Sequence, residues 1–169
     1  MTEIQVDSLT FTFPCSWKVT KYDEWTFYRN QFSKMRFGIS IKAVDLVAID
    51  DEMIWLIEAK DYRLHRRTKL IDLADEVAQK VFCTLAAILP AKINASDTSE
   101  QDFSKQAVRC QQLRVVLHLE QPIKHSKLFP RAIDPAKVKL KLRTLIKPID
   151  PHPMVVKSTQ MRSLQWTVT

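Results

Sequence analysis

Glycine is almost absent from this sequence, in which Gly38 is the single example among 169 residues. Loops that cradle nucleotide phosphates need several glycines close together, because the backbone must approach the ligand without intervening side chains. The sequence therefore excludes a P-loop and a dinucleotide-binding fingerprint.

Cysteine and long apolar runs are also scarce. The three cysteines, Cys15, Cys83 and Cys110, are widely spaced, which predicts buried or half-buried thiols in a reducing cytosol rather than metal ligands. No apolar run reaches roughly 18 residues, the length of a membrane span. The N-terminus also lacks the basic and apolar regions of a signal peptide. We therefore expect a cytoplasmic protein with no membrane partner.

The chain has a surplus of positive charge, with 26 Lys and Arg against 19 Asp and Glu and a net charge of +7. Such a surplus favours a polyanionic partner, because cations gain affinity by releasing counterions from phosphates. The hydrophobic content of 46% argues against disorder. With no repeat and no Gly/Ser linker, residues 1–169 predict one domain.

The order of predicted elements indicates an α/β fold, with a central mixed β-sheet flanked by helices. Asp23 is a candidate N-cap for an early helix and Asp134 for a late one, and Pro90 is expected just beyond the end of a long helix. The other predicted elements are helices over 70–89, 100–112 and 134–145 and strands over 8–13, 39–49, 53–60, 114–120 and 154–157, with a further candidate strand over 164–168.

The strands over 39–49 and 53–60 are close enough in sequence to form an antiparallel hairpin. If Asp51 and Glu52 are the centre of its turn, Asp45 lies directly opposite Glu58, with Cβ atoms about 4.5–5.5 Å apart. Side chains two residues apart share a face, so Lys60 joins the two carboxylates. The hairpin therefore predicts an acidic pair and an ammonium at one point of the sheet.

Two carboxylates on strands of Val, Ile, Leu and Trp repel each other unless something neutralises them. A hard cation such as Mg²⁺, or Mn²⁺, takes carboxylate oxygens and can activate a bound water. A nearby lysine can orient that water, and these parts suit hydrolysis of a phosphodiester. Cross-strand salt bridges on a solvated face are the alternative interpretation, and the pattern alone leaves both open.

At these residues the chain resembles the PD-(D/E)xK nuclease superfamily, which has the restriction-endonuclease-like fold. The resemblance rests on Ala43-Val44-Asp45-Leu46-Val47 and Ile57-Glu58-Ala59-Lys60 and covers roughly residues 17–120. The family has a proline where Val44 stands.

The resemblance implies a role for each matched residue. Asp45 and Glu58 would bind the metal, with the Ala59 backbone carbonyl as a further ligand, and Lys60 would position or activate water. Glu24, or Asp23, is the candidate for an acid from the preceding helix. Gln79 could match a glutamine of the following helix, although a solvated helix residue is the commoner case.

Basic residues follow the second strand directly. Tyr62, Arg63, Arg66, Arg67 and Lys69 are candidate contacts to a nucleic acid, through the phosphates and through stacking by the tyrosine. A second basic cluster comprises Lys137, Lys139, Lys141, Arg143 and Lys147. It predicts either a phosphate-binding face or an ordinary solvated helix.

The sequence thus predicts a Mg²⁺-dependent nuclease, an endonuclease-type hydrolase with DNA as its expected partner. A protein partner or a homodimer could help it recognise the substrate. Two alternatives remain open: a catalytically silent nucleic-acid-binding or assembly subunit with the same fold, and a protein-interaction module.

Overall fold

A computed structural model describes residues 1–36, 38–122, 133–161 and 163–169 of the chain. In this part the chain forms two β-sheets and four α-helices, which confirms the predicted α/β class. Among the described residues, no helix combines the length and the hydropathy that a membrane span requires.

The larger sheet has five strands in the order β3-β4-β5-β6-β7. Antiparallel pairing joins β3 to β4 and β4 to β5, whereas β6 runs parallel to both of its neighbours. The strands are β3 Lys18–Lys21, β4 Leu46–Asp50, β5 Met53–Asp61, β6 Gln112–Glu120 and β7 Met154–Val156. The sheet is therefore mixed, as expected.

The smaller sheet is antiparallel, with the order β1-β2-β8. Its strands are β1 Thr2–Val6, β2 Leu9–Phe13 and β8 Thr167–Val168. The helices are α1 Thr26–Asn30, α2 Leu73–Asn94, α3 Thr98–Ala107 and α4 Pro135–Ile146.

Two hydrophobic cores cover the two faces of the larger sheet. Val47 and Leu56 belong to the core shared with the helices, and their neighbours Leu46 and Ile57 belong to the core shared with the smaller sheet. Successive side chains of a strand point to opposite faces, so a strand covered on both sides must be apolar throughout. This explains why β4 and β5 lack a hydrophilic face.

Several predicted boundaries are wrong. The strand expected over 39–49 begins only at Leu46, and the amide of Val44 donates instead to the Thr84 hydroxyl of α2, at 3.1 Å. The helix expected to start at Asp23 is interrupted, since 3-10 turns over Tyr22–Glu24 and Phe32–Lys34 flank the five-residue α1. Asp23 caps no helix, whereas Asp134 caps α4 as predicted.

Candidate functional site

The β4–β5 hairpin has the predicted register. Leu46 pairs with Ile57 and Asp50 with Met53, and the same register continued by one residue sets Asp45 opposite Glu58. Oδ2 of Asp45 accepts a hydrogen bond from the Ala59 amide at 2.7 Å, which holds the carboxylate against β5. The expectation that the two acids meet at the end of the hairpin is therefore confirmed.

Lys60 completes the predicted group. Its Nζ lies 2.6 Å from Oε1 of Glu58, and the Glu58 side chain is only 1% exposed. The hairpin thus brings Asp45, Glu58 and Lys60 together at the boundary of the helix-side core.

A fourth residue, Lys80 of α2, belongs to the same group and was missed from sequence. Its Nζ lies 2.5 Å from Oε1 of Glu58 and 3.6 Å from Oδ1 of Asp45. Val77, Val81 and Thr84 are buried on the same stretch of α2. A lysine at helical spacing among buried positions was the available signal, because such a cation needs an anion nearby.

The acid cluster comprises Asp45, Glu58, Lys60 and Lys80. Burial and the neighbouring Asp45 raise the pKa of Glu58 to about 7, against the pull of both lysines. Burial disfavours the charged form of Lys60, but the attraction of Glu58 and Asp45 outweighs it and raises the pKa of this ammonium. The carboxyl of Glu58 is thus poised to exchange a proton near neutral pH, while Lys60 stays charged.

Glu24 is not part of the cluster. Its side chain is 49% exposed and pairs with Lys21 at 2.8 Å. The other candidate, Asp23, is close enough to Asp45 to feel its charge. Burial first and Asp45 second raise the pKa of Asp23. Its Oδ1 is buried without a hydrogen-bond partner.

A magnesium ion does not fit the cluster as it stands. Mg²⁺ binds oxygens at about 2.0–2.1 Å in octahedral geometry. Oε1 of Glu58 is already contacted by both ammonium groups, and Oδ2 of Asp45 by an amide. Within the described ranges, no group of three His, Cys, Asp or Glu residues is arranged to hold a metal. Oε2 of Glu58 is nevertheless buried without a hydrogen-bond partner. Magnesium binding and the role of the Ala59 carbonyl as a metal ligand stay predictions.

Gln79, the other residue suggested on α2, makes a different contact. Its Nε2 donates to the Ser40 carbonyl at 2.7 Å, which ties α2 to the segment before β4. This bond fixes the loop that leads to Asp45.

The basic loop after β5 is partly neutralised by the protein itself. Arg63 binds both carboxylate oxygens of Asp61, and Arg67 donates to the Tyr62 hydroxyl at 3.0 Å. Arg67 and Lys69 also contact the buried Glu76, at 2.6 and 2.5 Å. The predicted nucleic-acid contacts Tyr62, Arg63, Arg66, Arg67 and Lys69 stay predictions. The bonds of Tyr62, Arg63, Arg67 and Lys69 within the protein compete with such contacts.

The second basic cluster carries far more uncompensated charge. Residues 121–149 contain eight of the 26 Lys and Arg but one of the 19 Asp and Glu, which leaves 18 of each elsewhere. This basic segment therefore accounts for the whole net charge of +7. Its helix, α4, contributes four of the eight cations, and Lys147 follows at its end.

Only the inner side of α4 is committed to the protein. Val138, Leu142 and Ile146 are buried in the helix-side core. Lys141 pairs with Asp75 of α2 at 2.6 Å. Lys139, Arg143 and Lys147 recur every fourth residue and form what we call the α4 ridge; within the described part of the chain they make no ion pair. Arg143 and Lys147 are exposed, and Lys139 is half-buried.

Comparison with known proteins adds a relative of a different class. The chain is similar to a cysteine–tRNA ligase of Neisseria meningitidis serogroup A / serotype 4A (strain DSM 15465 / Z2491). The two are 34% identical over an alignment 208 positions long. The alignment covers 100% of this chain but 30% of the ligase, so the chain spans less than a third of that protein. No family model and no solved structure matches the chain.

The prediction of a DNA nuclease is therefore wrong. The whole chain aligns with a protein that joins an amino acid to tRNA, and that relative is an enzyme but a ligase, not a hydrolase. DNA as the partner is wrong for the same reason, because the nucleic acid named with the relative is tRNA. In physical terms, Lys80 supplies the neutralising charge for which a catalytic metal was invoked.

Proposed function

We propose that this chain is an RNA-binding domain that contacts tRNA in support of cysteine–tRNA ligation. The observation that carries the proposal is the concentration of the entire net charge, +7, in residues 121–149. The relative supports the choice of RNA, since a cysteine–tRNA ligase has tRNA as its substrate. The chain corresponds to 30% of that protein, which favours a binding role over the complete reaction.

The α4 ridge is suited to a phosphate backbone. A rise of 1.5 Å per residue separates Lys139, Arg143 and Lys147 by about 6 Å along the helix. Like charges at this spacing repel and destabilise a helix by about 0.2–0.5 kcal/mol per pair. A row of phosphates would relieve this repulsion, and the released counterions would supply affinity.

The packing of α4 holds the ridge in place. Its apolar side packs against α2 and β7, and the buried Val138, Leu142 and Ile146 set the rotation of the helix. A rigid helix loses little conformational entropy when its side chains contact a ligand. The basic loop after β5 differs, because Arg63 and Arg67 already have carboxylate partners.

Binding can be tested with fluorescently labelled cysteine-accepting tRNA and a DNA duplex of similar length. We expect anisotropy to show tRNA binding that weakens roughly 40-fold between 50 and 200 mM salt, as for about three phosphate contacts. Replacing both Lys139 and Arg143 by Glu should abolish most binding. The matched control is Lys34→Glu with Lys18→Glu, an equal charge change away from α4.

Two results would contradict the proposal. Equal losses in the α4 and control variants would show that only net charge matters, and tighter binding to DNA than to tRNA would remove the link to tRNA. An aminoacylation assay with ATP and cysteine completes the test. We expect the chain to bind tRNA without charging it, and charging by the chain alone would replace the binding role with a catalytic one.

A further inference from the structure

The acid cluster holds a cation that belongs to the protein. The ammonium of Lys80 lies between the two carboxylates, 2.5 Å from Glu58 and 3.6 Å from Asp45. A divalent ion bridging the same two groups would need the space and the oxygen lone pairs that this ammonium uses.

We propose that Lys80 is a resident cation that blocks a latent divalent-metal site formed by Asp45 and Glu58. The proposal concerns the acid cluster only and does not depend on RNA binding by α4.

The surroundings show why removing this ammonium would create demand for a metal. Oε2 of Glu58 and Oδ1 of Asp23 are both buried without a hydrogen-bond partner. Without Lys80, Lys60 would be the remaining cation beside Glu58 and Asp45, while Lys21 and Arg29 act on Asp23. Buried, unbalanced carboxylates either take up protons or bind a cation, and an open pocket of oxygens suits a hard divalent ion.

The position of Lys80 is fixed by its helix rather than by a flexible loop. Val77 and Val81 are fully buried beside it, and the Thr84 hydroxyl one turn later accepts from the Val44 amide at 3.1 Å. The Lys80 side chain is only 14% exposed. A divalent ion entering the wild-type cluster would have to displace a held ammonium and would meet Lys60 as well, so repulsion opposes it.

Manganese alone is the probe for this inference, because free Mn²⁺ is counted directly by electron paramagnetic resonance. We expect no saturable site in the wild-type protein at millimolar Mn²⁺. Lys80→Met should create one site per chain, which binds Mn²⁺ more than about tenfold more tightly than the wild-type protein does. A second change, Asp45→Asn, should remove this site. Lys92→Met, on the same helix and outside the cluster, should behave as the wild type.

Each other outcome overturns the proposal. Saturable Mn²⁺ binding to the wild type that Asp45→Asn abolishes would show that Lys80 does not block the site. A folded Lys80→Met protein without a gain in binding would show that no latent site exists. If Lys80→Met and Lys80→Gln both unfold, Mn²⁺ should restore their circular dichroism, because a metal that binds only the native state stabilises it. Failure to do so also counts against the proposal.

Discussion

Two buried glutamates at the same end of the molecule, Glu58 on β5 and Glu76 on α2, ionise in opposite ways. Burial and Asp45 raise the pKa of Glu58 to about 7. Burial also opposes the ionisation of Glu76, but its bonds with Lys69 and Arg67 outweigh that cost and lower its pKa to about 2. Burial alone therefore does not decide the charge of a carboxyl group in this protein.

One difference lies in how the cations are shared. Each oxygen of Glu76 has its own cation, with Lys69 on Oε1 and the Arg67 guanidinium 2.6 Å from Oε2, a charge contact without hydrogen-bond geometry. Both lysines near Glu58 contact the same oxygen, Oε1, and Asp45 competes for one of them. At Glu58, burial as the largest cause and the second carboxylate together outweigh the two lysines, whereas at Glu76 two separate cations outweigh burial.

The largest effect is expected when Glu58 is replaced by Gln. The folded pKa is above the unfolded value, so this group favours the native state below pH 4.5 and loses that contribution as the pH rises to 7. The shift corresponds to about 3 kcal/mol. In Glu58→Gln, urea unfolding should give a free energy of unfolding that no longer falls between pH 4.5 and 7 because of this group. The exposed Glu24→Gln serves as control, and an unchanged pH profile in Glu58→Gln would contradict the sharing argument.

A smaller effect of opposite sign is expected for Glu76→Gln. The folded pKa lies below the unfolded value, so the carboxylate stabilises the protein above pH 4.5, and this stability is lost as the pH falls towards 2. We expect a loss of about 2 kcal/mol at pH 7, because the exposed Lys69 weakens the ion pair through solvent screening. Thermal unfolding of wild type and variant should converge in acid. Curves that stay parallel at all pH values would speak against it.

The smallest effect is expected for Lys141→Ala. This lysine pairs with Asp72 and Asp75, but all three side chains are at least 40% exposed. Water and salt screen such exposed pairs, so they contribute little to stability. Urea unfolding should therefore give nearly the same stability as Lys137→Ala, an exposed lysine of the same helix. A clearly larger loss in Lys141→Ala than in Lys137→Ala would mean that cation sharing matters at the surface too.

The hairpin was the part of the site that could be predicted from sequence. The alternation of β-strand side chains and the short acidic turn fix which residues face each other. The turn needs a residue with positive φ, and Asp51 supplies it, at 46°, in place of a glycine. Local geometry sufficed because Asp45 directly precedes β4 and Glu58 lies on β5, the next strand.

Lys80 could not be predicted in the same way. It meets Glu58 through the packing of α2 on the sheet, a contact between segments 22 residues apart. A helical period shows which face of α2 is buried but not what lies opposite a given position. The family resemblance suggested Gln79, the residue before Lys80, which instead bonds to the Ser40 carbonyl.

One strand was missed and the end of one helix was misplaced, both for local reasons. The strand β1 pairs with β2 through a turn at Asp7, whose φ is 51°, and no glycine marks that turn in the sequence. Pro90 lies inside α2, although proline was expected beyond its end. The carbonyl four residues earlier belongs to the exposed Ala86, so water can replace the missing hydrogen bond.

Placing the whole net charge in one short segment makes the molecule electrically lopsided. Outside residues 121–149 the formal charges cancel, with 18 of each sign, and five of the eight cations within that segment lie on or directly after α4, so this helix is a positive pole of the protein. A dipole of this kind feels a torque in the field of a polyanion before any contact forms. The protein would therefore arrive at its partner already turned with that pole forward, and dissolved salt would blur the alignment over about 10 Å.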